Sequence, residues 1–307
     1  MNALIKKYCA VLLTVGLVTL QAQAGKIDPN FPQISYIQFP SFDLFPPGQE
    51  LTIGGQLRIP VNSGQELPAV VILHGSAGVD SRGALYARAL NDAGIATLEI
   101  DMWGARGIAD AGQRPPLPTV TLPDAFGALD YLANTPGIDS QRIGVLGFSW
   151  GGVMSLLAAN QSYTDSLGNG RQFAAHVAHY PVCWGYNIGL PGIIFGPGEE
   201  DLTGAPVLIQ VGSLDDYDEG GAPCKNLAAP FPGVSVNVYP NAHHAWDRLQ
   251  PPLTVQDPFS HLGEGAMMGS CDNANCEVNI IPNPGKSQQS SKAVVAAFSN
   301  AFGLNGN

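Results

Sequence analysis

The sequence predicts an α/β protein with a mostly parallel central sheet and helices on both faces. Three observations carry that expectation. From residue 69 onward, short apolar runs of the length of doubly buried strands recur along the chain. Between them lie stretches with apolar residues at helical spacing. No internal repeat or long low-complexity segment interrupts the alternation, which is the pattern of parallel strands joined by helical crossovers. With 307 residues, 45% of them hydrophobic, the chain is long enough to bury one large core of this kind.

Taken in order, residues 25–50 are rich in Pro and Phe and predict an extended arm, and "LTIGGQLRIPV" (51–61) predicts an antiparallel N-terminal strand. "AVVILHG", "ATLEID", "RIGVLGFS", "FAAHVAHYP", "PVLIQVG" and "VSVNVYP" then predict buried strands. Helices are expected at 83–93, closed by Gly94, and at 123–134, opened by Pro123 with Phe126, Leu129 and Ala133 on one face. Two more are expected at 150–160, with Val153, Leu156 and Leu157 together, and at about 288–302, with Val294, Phe298 and Phe302 at i, i+4 and i+8. Residues 248–286 are loop-like, rich in Pro, Gly and Asn, and predict a functional flap or a disulfide-pinned excursion.

The first 24 residues read as a secretory signal peptide. Lys6 and Lys7 precede an apolar core, and small residues at Ala22 and Ala24 place cleavage after Ala24. The uninterrupted apolar run, Cys9 to Leu20, has 12 residues and is too short to span about 30 Å of hydrocarbon. This predicts a periplasmic or extracellular protein, a single domain over residues 25–307, and no stable membrane insertion of the mature chain. The formal charge of −11 becomes −11 − 2 = −13 once Lys6 and Lys7 are removed. Only 14 Lys and Arg stand against 25 Asp and Glu, and they are scattered, so no nucleic-acid footprint is present.

Export changes the meaning of the five cysteines. Without Cys9, four remain in an oxidising compartment, which allows three pairings. Cys271–Cys276 closes the small loop "CDNANC" and leaves Cys183–Cys224 as the long-range bridge. A zinc site is the competing reading, but no histidine pair lies near "CDNANC". His176 and His179 share a strand at a spacing of three, hence opposite faces, which argues against a shared metal. No metal and no cofactor is expected: "GSAG" after a strand lacks dinucleotide spacing, and no phosphate loop occurs.

The chemistry concentrates at "GFSWGG". Ser149 lies between Gly147 and Gly151, where an apolar strand pattern gives way to a helical one. A G-x-S-x-G elbow holds the serine in a strained conformation that its glycine neighbours leave room for. A nucleophilic serine needs a base, and the base needs an orienting acid. Asp215 and Asp216 follow the "PVLIQVG" strand, and His243 and His244 follow the "VSVNVYP" strand. Both pairs fall at the carboxyl edge of the sheet, where open α/β sheets bind ligands. For the oxyanion, one amide is expected from Trp150 and the other from Ser76, in the small-residue loop after "VILHG". His74 precedes Ser149 and ends the strand carrying that loop, so it is the weaker candidate for base.

"HGSAG", "DMWGARG", "GFSWGG", "GSLDDYD" and "NAHHAWD" occur in an order and spacing that resembles the dienelactone hydrolase family of α/β-hydrolases, over roughly residues 50–305. The resemblance implies an α/β-hydrolase fold with Ser149 as nucleophile, Asp215 as acid and His244 as base. Asp215 lies three residues after the strand-end glycine, Gly212, and His244 precedes a small residue and an aromatic, Ala245 and Trp246. The namesake enzymes carry a cysteine nucleophile where this chain has serine, and this chain has an export signal. Members with "YPVC" resemble it in a bridge that agrees with Cys183–Cys224.

Further expectations concern the substrate, a small-molecule or polymeric ester. Arg106, in a loop after a strand, is a candidate for a substrate carboxylate, with a loop-holding role as the alternative. Trp103, Trp150, Trp184 and Trp246 sit near strand ends and are candidates for an apolar pocket. The reaction expected is ester hydrolysis by a secreted serine hydrolase through an acyl-enzyme. The same triad on the same fold also serves peptidases, polyester depolymerases and acyltransferases. An exported binding protein without catalysis is the alternative from a different class.

Overall fold

The computed structural model describes residues 31–304, apart from 46–47, 62–63, 197, 199–200, 258–259 and 261–275. The signal segment 1–24 and Cys271, with the Cys271–Cys276 pairing, lie outside the described residues.

Eight strands form one sheet: β1 (Gln33–Phe42), β2 (Glu50–Ile59), β3 (Leu67–Leu73), β4 (Ala96–Asp101), β5 (Ile138–Phe148), β6 (His176–His179), β7 (Val207–Leu214) and β8 (Val234–His243). Their order is β1-β2-β4-β3-β5-β6-β7-β8. β1 and β2 pair antiparallel, as do β2 and β4, and all remaining neighbours are parallel. The all-apolar β3 is buried along its whole length, and its alternation divides the core. Val71 and Leu73 face a cluster with Phe126 and Leu129 of α2 (Leu122–Ala133) and Met154 and Leu157 of α3 (Trp150–Leu157). Val70 and Ile72 face the opposite cluster, with Tyr86 and Leu90 of α1 (Ser81–Asp92) and Val294 and Phe298 of α7 (Pro284–Ala301). Three short helices complete the set: α4 (Gln161–Leu167), α5 (Trp184–Asn187) and α6 (Ala222–Ala228).

The chain leaves β3 to one side for β4 and returns on the other side for β5. That reversal opens a crevice at the carboxyl ends of β3 and β5. The loop beginning at Gly75 and the turn at Ser149 both end there.

Three boundaries differ from expectation. Residues 33–42 form an edge strand rather than an extended arm. Pro40 obscures the pattern, yet an edge strand tolerates proline because one side needs no ladder donor. α7 begins at Pro284, with Asn283 capping the Lys286 amide, four residues earlier than the apolar spacing implies. Within 248–286, β9 (Leu253–Gln256) and β10 (Glu277–Ile280) pair antiparallel, and Asp216 accepts the Asn279 amide at 2.7 Å. The excursion is therefore fastened to the turn that follows β7.

Candidate active site

Ser149 sits between β5 and α3 at φ 51°, ψ −108°, outside the usual regions for a side-chain-bearing residue. Its neighbours explain how it is held. A Cβ on Gly147 would stand 1.9 Å from the Gly151 carbonyl oxygen, and one on Gly151 would stand 2.4 Å from the Leu73 carbonyl oxygen. A side chain at Gly147 would force α3 away from β5, and one at Gly151 would push the elbow off β3. The Ser149 amide donates to the His179 carbonyl at 2.9 Å and its carbonyl accepts the Val153 amide at 2.9 Å, so the turn is fixed on both sides.

Ser149 Oγ lies 3.0 Å from His244 Nε2. On the far side of the ring, His244 Nδ1 lies 3.0 Å from Asp215 Oδ2. His244 and Asp215 are buried, so neither side chain is free to rotate into water. The Tyr217 amide donates to Asp215 Oδ1 at 2.9 Å, occupying the other carboxylate oxygen. The rings of Tyr180 and Tyr217 pack against the imidazole at 4.7 and 4.5 Å between centroids. Asp216 turns away to hold β10, and His243 ends β8 with its Nδ1 unpartnered among the described residues. Of each adjacent pair, the residue chosen by resemblance is the one aligned with Ser149.

The Ser76 and Trp150 amides lie at the ends of β3 and β5, and neither donates to another group among the described residues. Ser76 is steadied through its carbonyl, which accepts Trp103 Nε1 at 2.9 Å, and Trp150 through its Nε1, which donates to Thr121 Oγ1 at 3.0 Å. His74 is committed elsewhere. Its Nε2 accepts the Met102 amide at 2.9 Å, its Nδ1 donates to the Gly75 carbonyl, and burial pushes its pKa down to about 4. It is a neutral, structural histidine at neutral pH.

Other candidates fall away from the serine. Arg106 lines neither cavity at Ser149: it binds Asp43, Asp124 and the Met102 carbonyl, which makes it a strut between β1, β4 and α2. Trp103 packs between His74 and Trp150 and donates to the Ser76 carbonyl, behind the loop that follows β3 rather than in a pocket. Trp246 is wholly buried in the second core cluster, because Ala245 at φ 51° turns the chain inward after His244. Trp150 and Trp184 do line a mostly apolar cavity that opens at Ser149. His176 and His179 face opposite core clusters: His176 packs on Phe173, and His179 on Trp246.

Several residues have no counterpart in the sequence expectations. Asp247 is wholly buried and accepts from Tyr86 at 2.8 Å, Tyr180 at 2.5 Å and His179 at 3.1 Å. Burial alone would raise its carboxyl, but His179, Arg82 and Tyr180 hold it below the usual range. Asp218 accepts the Cys183 and Trp184 amides at 2.9 and 3.1 Å, and burial together with the nearby Asp215 charge raises it to about 7. Cys183 and Cys224, by contrast, form the disulfide expected from the sequence, tying the segment after β6 to α6. The grouping of Cys183, Asp218 and Cys224 resembles a metal donor set, but both sulfurs are consumed by the bridge. One signal was legible for these acids: "GSLDDYD" and "AWD" put three carboxylates beyond those a triad needs beside it.

A serine on a strained strand-to-helix turn, with a histidine and an acid aligned behind it on a mostly parallel sheet, fits the α/β hydrolase class. Residues 53–261 match the profile of the dienelactone hydrolase family, and the chain belongs to that family. A Pseudomonas aeruginosa protein, PA2218, is 32% identical over 110 residues, which is 34% of this chain and 29% of that one. The chain thus spans under a third of that relative's length. The dienelactone hydrolase of Anabaena variabilis superposes with a TM-score of 0.55 at 19% identity, over 88% of this chain and 98% of the other. The esterase Est22 does so with a TM-score of 0.55 at 17% identity, over 87% and 80%. No helix among the described residues is long and apolar enough to cross a membrane.

Proposed function

We propose that this protein is an exported serine hydrolase of carboxylic esters. The observation that carries the reading is the chain of contacts from Ser149 Oγ through His244 to Asp215, at 3.0 Å on each side of the imidazole. His244 Nε2 takes the Ser149 proton as Oγ attacks the ester carbonyl, and Asp215 holds the ring in the tautomer that leaves Nε2 free. The Ser76 and Trp150 amides receive the negative charge on the carbonyl oxygen. The imidazolium then protonates the departing alkoxide. Water, deprotonated by the same Nε2, releases the acid and restores the serine.

Export is supported by the signal-like segment ending at Ala24 and by the Cys183–Cys224 bridge, a bond that persists in oxidising compartments. We take the mature chain as one catalytic domain acting on an ester, with no nucleic-acid partner. A fluorophosphonate probe tests the chemistry: it is expected to label the wild type at Ser149 and leave Ser149→Ala unlabelled, with ester turnover lost by at least about three orders of magnitude. Equal labelling of both proteins overturns the reading. The mass of the secreted chain checks cleavage after Ala24.

A further inference from the structure

Two cavities meet at Ser149. One has about 80 Å³ open to the centres of water molecules and apolar walls that include Leu117, Val153, Val182, Leu190 and Ile193. The other, about 240 Å³, carries Arg82 and Arg248 among its walls. Ser76, Ser149, Arg114, Tyr217 and Asp257 line both, so these five mark the boundary. Two of them belong to the nucleophile and the oxyanion loop. The other three are bonded to one another. Arg114 Nη2 donates to Asp257 Oδ2 at 2.8 Å, and the Tyr217 hydroxyl donates to the same oxygen at 2.7 Å.

These three residues come from distant parts of the chain. Arg114 lies between β4 and α2, Tyr217 follows β7, and Asp257 follows β9 on the excursion. The bridge is also anchored to the triad, through the Tyr217 amide on Asp215 and the Tyr217 ring on His244. Burial, with the Asp257 charge beside it, raises the Tyr217 hydroxyl well above its ordinary value, so it remains a donor at neutral pH. The ion pair is largely shielded, at 16% and 9% side-chain exposure, where charge-assisted contacts are least weakened by solvent.

We propose that the Arg114–Asp257 pair, held by Tyr217, is a partition that sets acyl specificity by closing the end of the apolar cavity beside Ser149. The inference rests on the serine-esterase reading above. An ester attacked by Ser149 sends its acyl and alkoxy groups in different directions. The acyl group stays through both half-reactions and suits the smaller, more apolar side. The alcohol leaves first and water must follow, which suits the larger side, where Arg82 and Arg248 stand. At about 80 Å³ against about 240 Å³, the apolar side is the smaller of the two. It suits a compact acyl group, a ring or a short chain, and the partition blocks a longer one from running on into the second cavity.

The test is kcat/KM on p-nitrophenyl acetate, butyrate, octanoate and dodecanoate for the wild type, Arg114→Met, Asp257→Ala, their double variant and Tyr217→Phe. The wild type is expected to prefer the short esters. Arg114→Met and Asp257→Ala are each expected to raise the dodecanoate-to-butyrate ratio about tenfold. The double variant is expected to match the singles, since either change breaks the same contact. Tyr217→Phe removes one hydroxyl and keeps the ring on His244, and is expected to move the ratio about threefold the same way. A ratio unchanged in the variants that fold and take the fluorophosphonate overturns the partition, as does full additivity in the double variant. If the ion-pair variants do not fold, Tyr217→Phe decides by the same ratio. A wild type that takes no probe and hydrolyses no ester overturns the esterase reading instead, so the two failures are distinguishable.

Discussion

Replacing Cys183 and Cys224 together by alanine isolates what their bridge contributes. The bridge spans a sequence separation of 41 residues. The chain-entropy relation for a loop of that length gives about 13 cal/mol/K, or about 4 kcal/mol at 25 °C, removed from the unfolded state by the cross-link. The folded state has a second tether at the same place, since Asp218 still accepts the Cys183 and Trp184 amides. The loss is therefore expected to fall on global stability, while the folded double variant keeps its active serine. Urea denaturation of both oxidised proteins reads it as a stability lower by about 4 kcal/mol, with a slope that does not decrease, because the uncross-linked unfolded chain exposes more surface. The folded variant still takes the fluorophosphonate. A stability difference below about 1 kcal/mol refutes the entropic account. Full stability with lost labelling refutes it differently, by making the bridge a support of the site rather than of the fold.

Two further perturbations test the elbow and the buried histidines. Gly147→Ala places a methyl 1.9 Å from a backbone oxygen that cannot yield, and is expected to cost about 3 kcal/mol or more, whereas Gly54→Ala, with nothing within 4 Å, stays within about 1 kcal/mol by thermal or chemical denaturation. Equal costs at the two sites would sink the steric argument. His74 and His176 are pushed down to about 4 by burial, against 6.5 in the unfolded chain. Between these values the unfolded chain binds more protons, so stability falls as pH drops from 6.5 to 4, by about 3 kcal/mol per histidine. Asp218, raised to about 7, acts oppositely and removes stability as pH rises from about 4 to 7. His176→Gln is expected to lose less stability than the wild type between pH 6.5 and 4, and parallel losses would refute that assignment.

The proposed triad is legible in sequence because each member occupies a strand end, and strand ends are marked by where apolar runs stop. Asp215 and Asp216 look alike in sequence, and the resemblance separated them; the structure gives them opposite directions, one toward His244 and one toward β10. Arg106 could not be read correctly, since its partners Asp124 and Asp43 are 18 and 63 residues away and only the sheet brings them to it. Trp246 stood next to the base and looked like a pocket wall, but the backbone turn at Ala245 sends it into the core. Arg114 and Asp257, 143 residues apart, lie in segments without periodicity, where no local pattern signals a contact. The missing element was the same kind of loss: β1 hid behind Pro40, which an edge strand accepts and a pattern reading discounts.

His244 and Asp247 stand three residues apart and are gripped from opposite directions, one by Asp215 and Ser149, the other by Tyr86, Tyr180 and His179. In the mechanism proposed above, a base carried on so short a doubly anchored segment has no room to swing between the acid and base halves of the reaction. Its ordering is completed when the chain folds, so the activation entropy of acylation is left to the ester and its departing alcohol. Temperature dependence of turnover across esters of differing flexibility would then report on the substrate rather than on the protein.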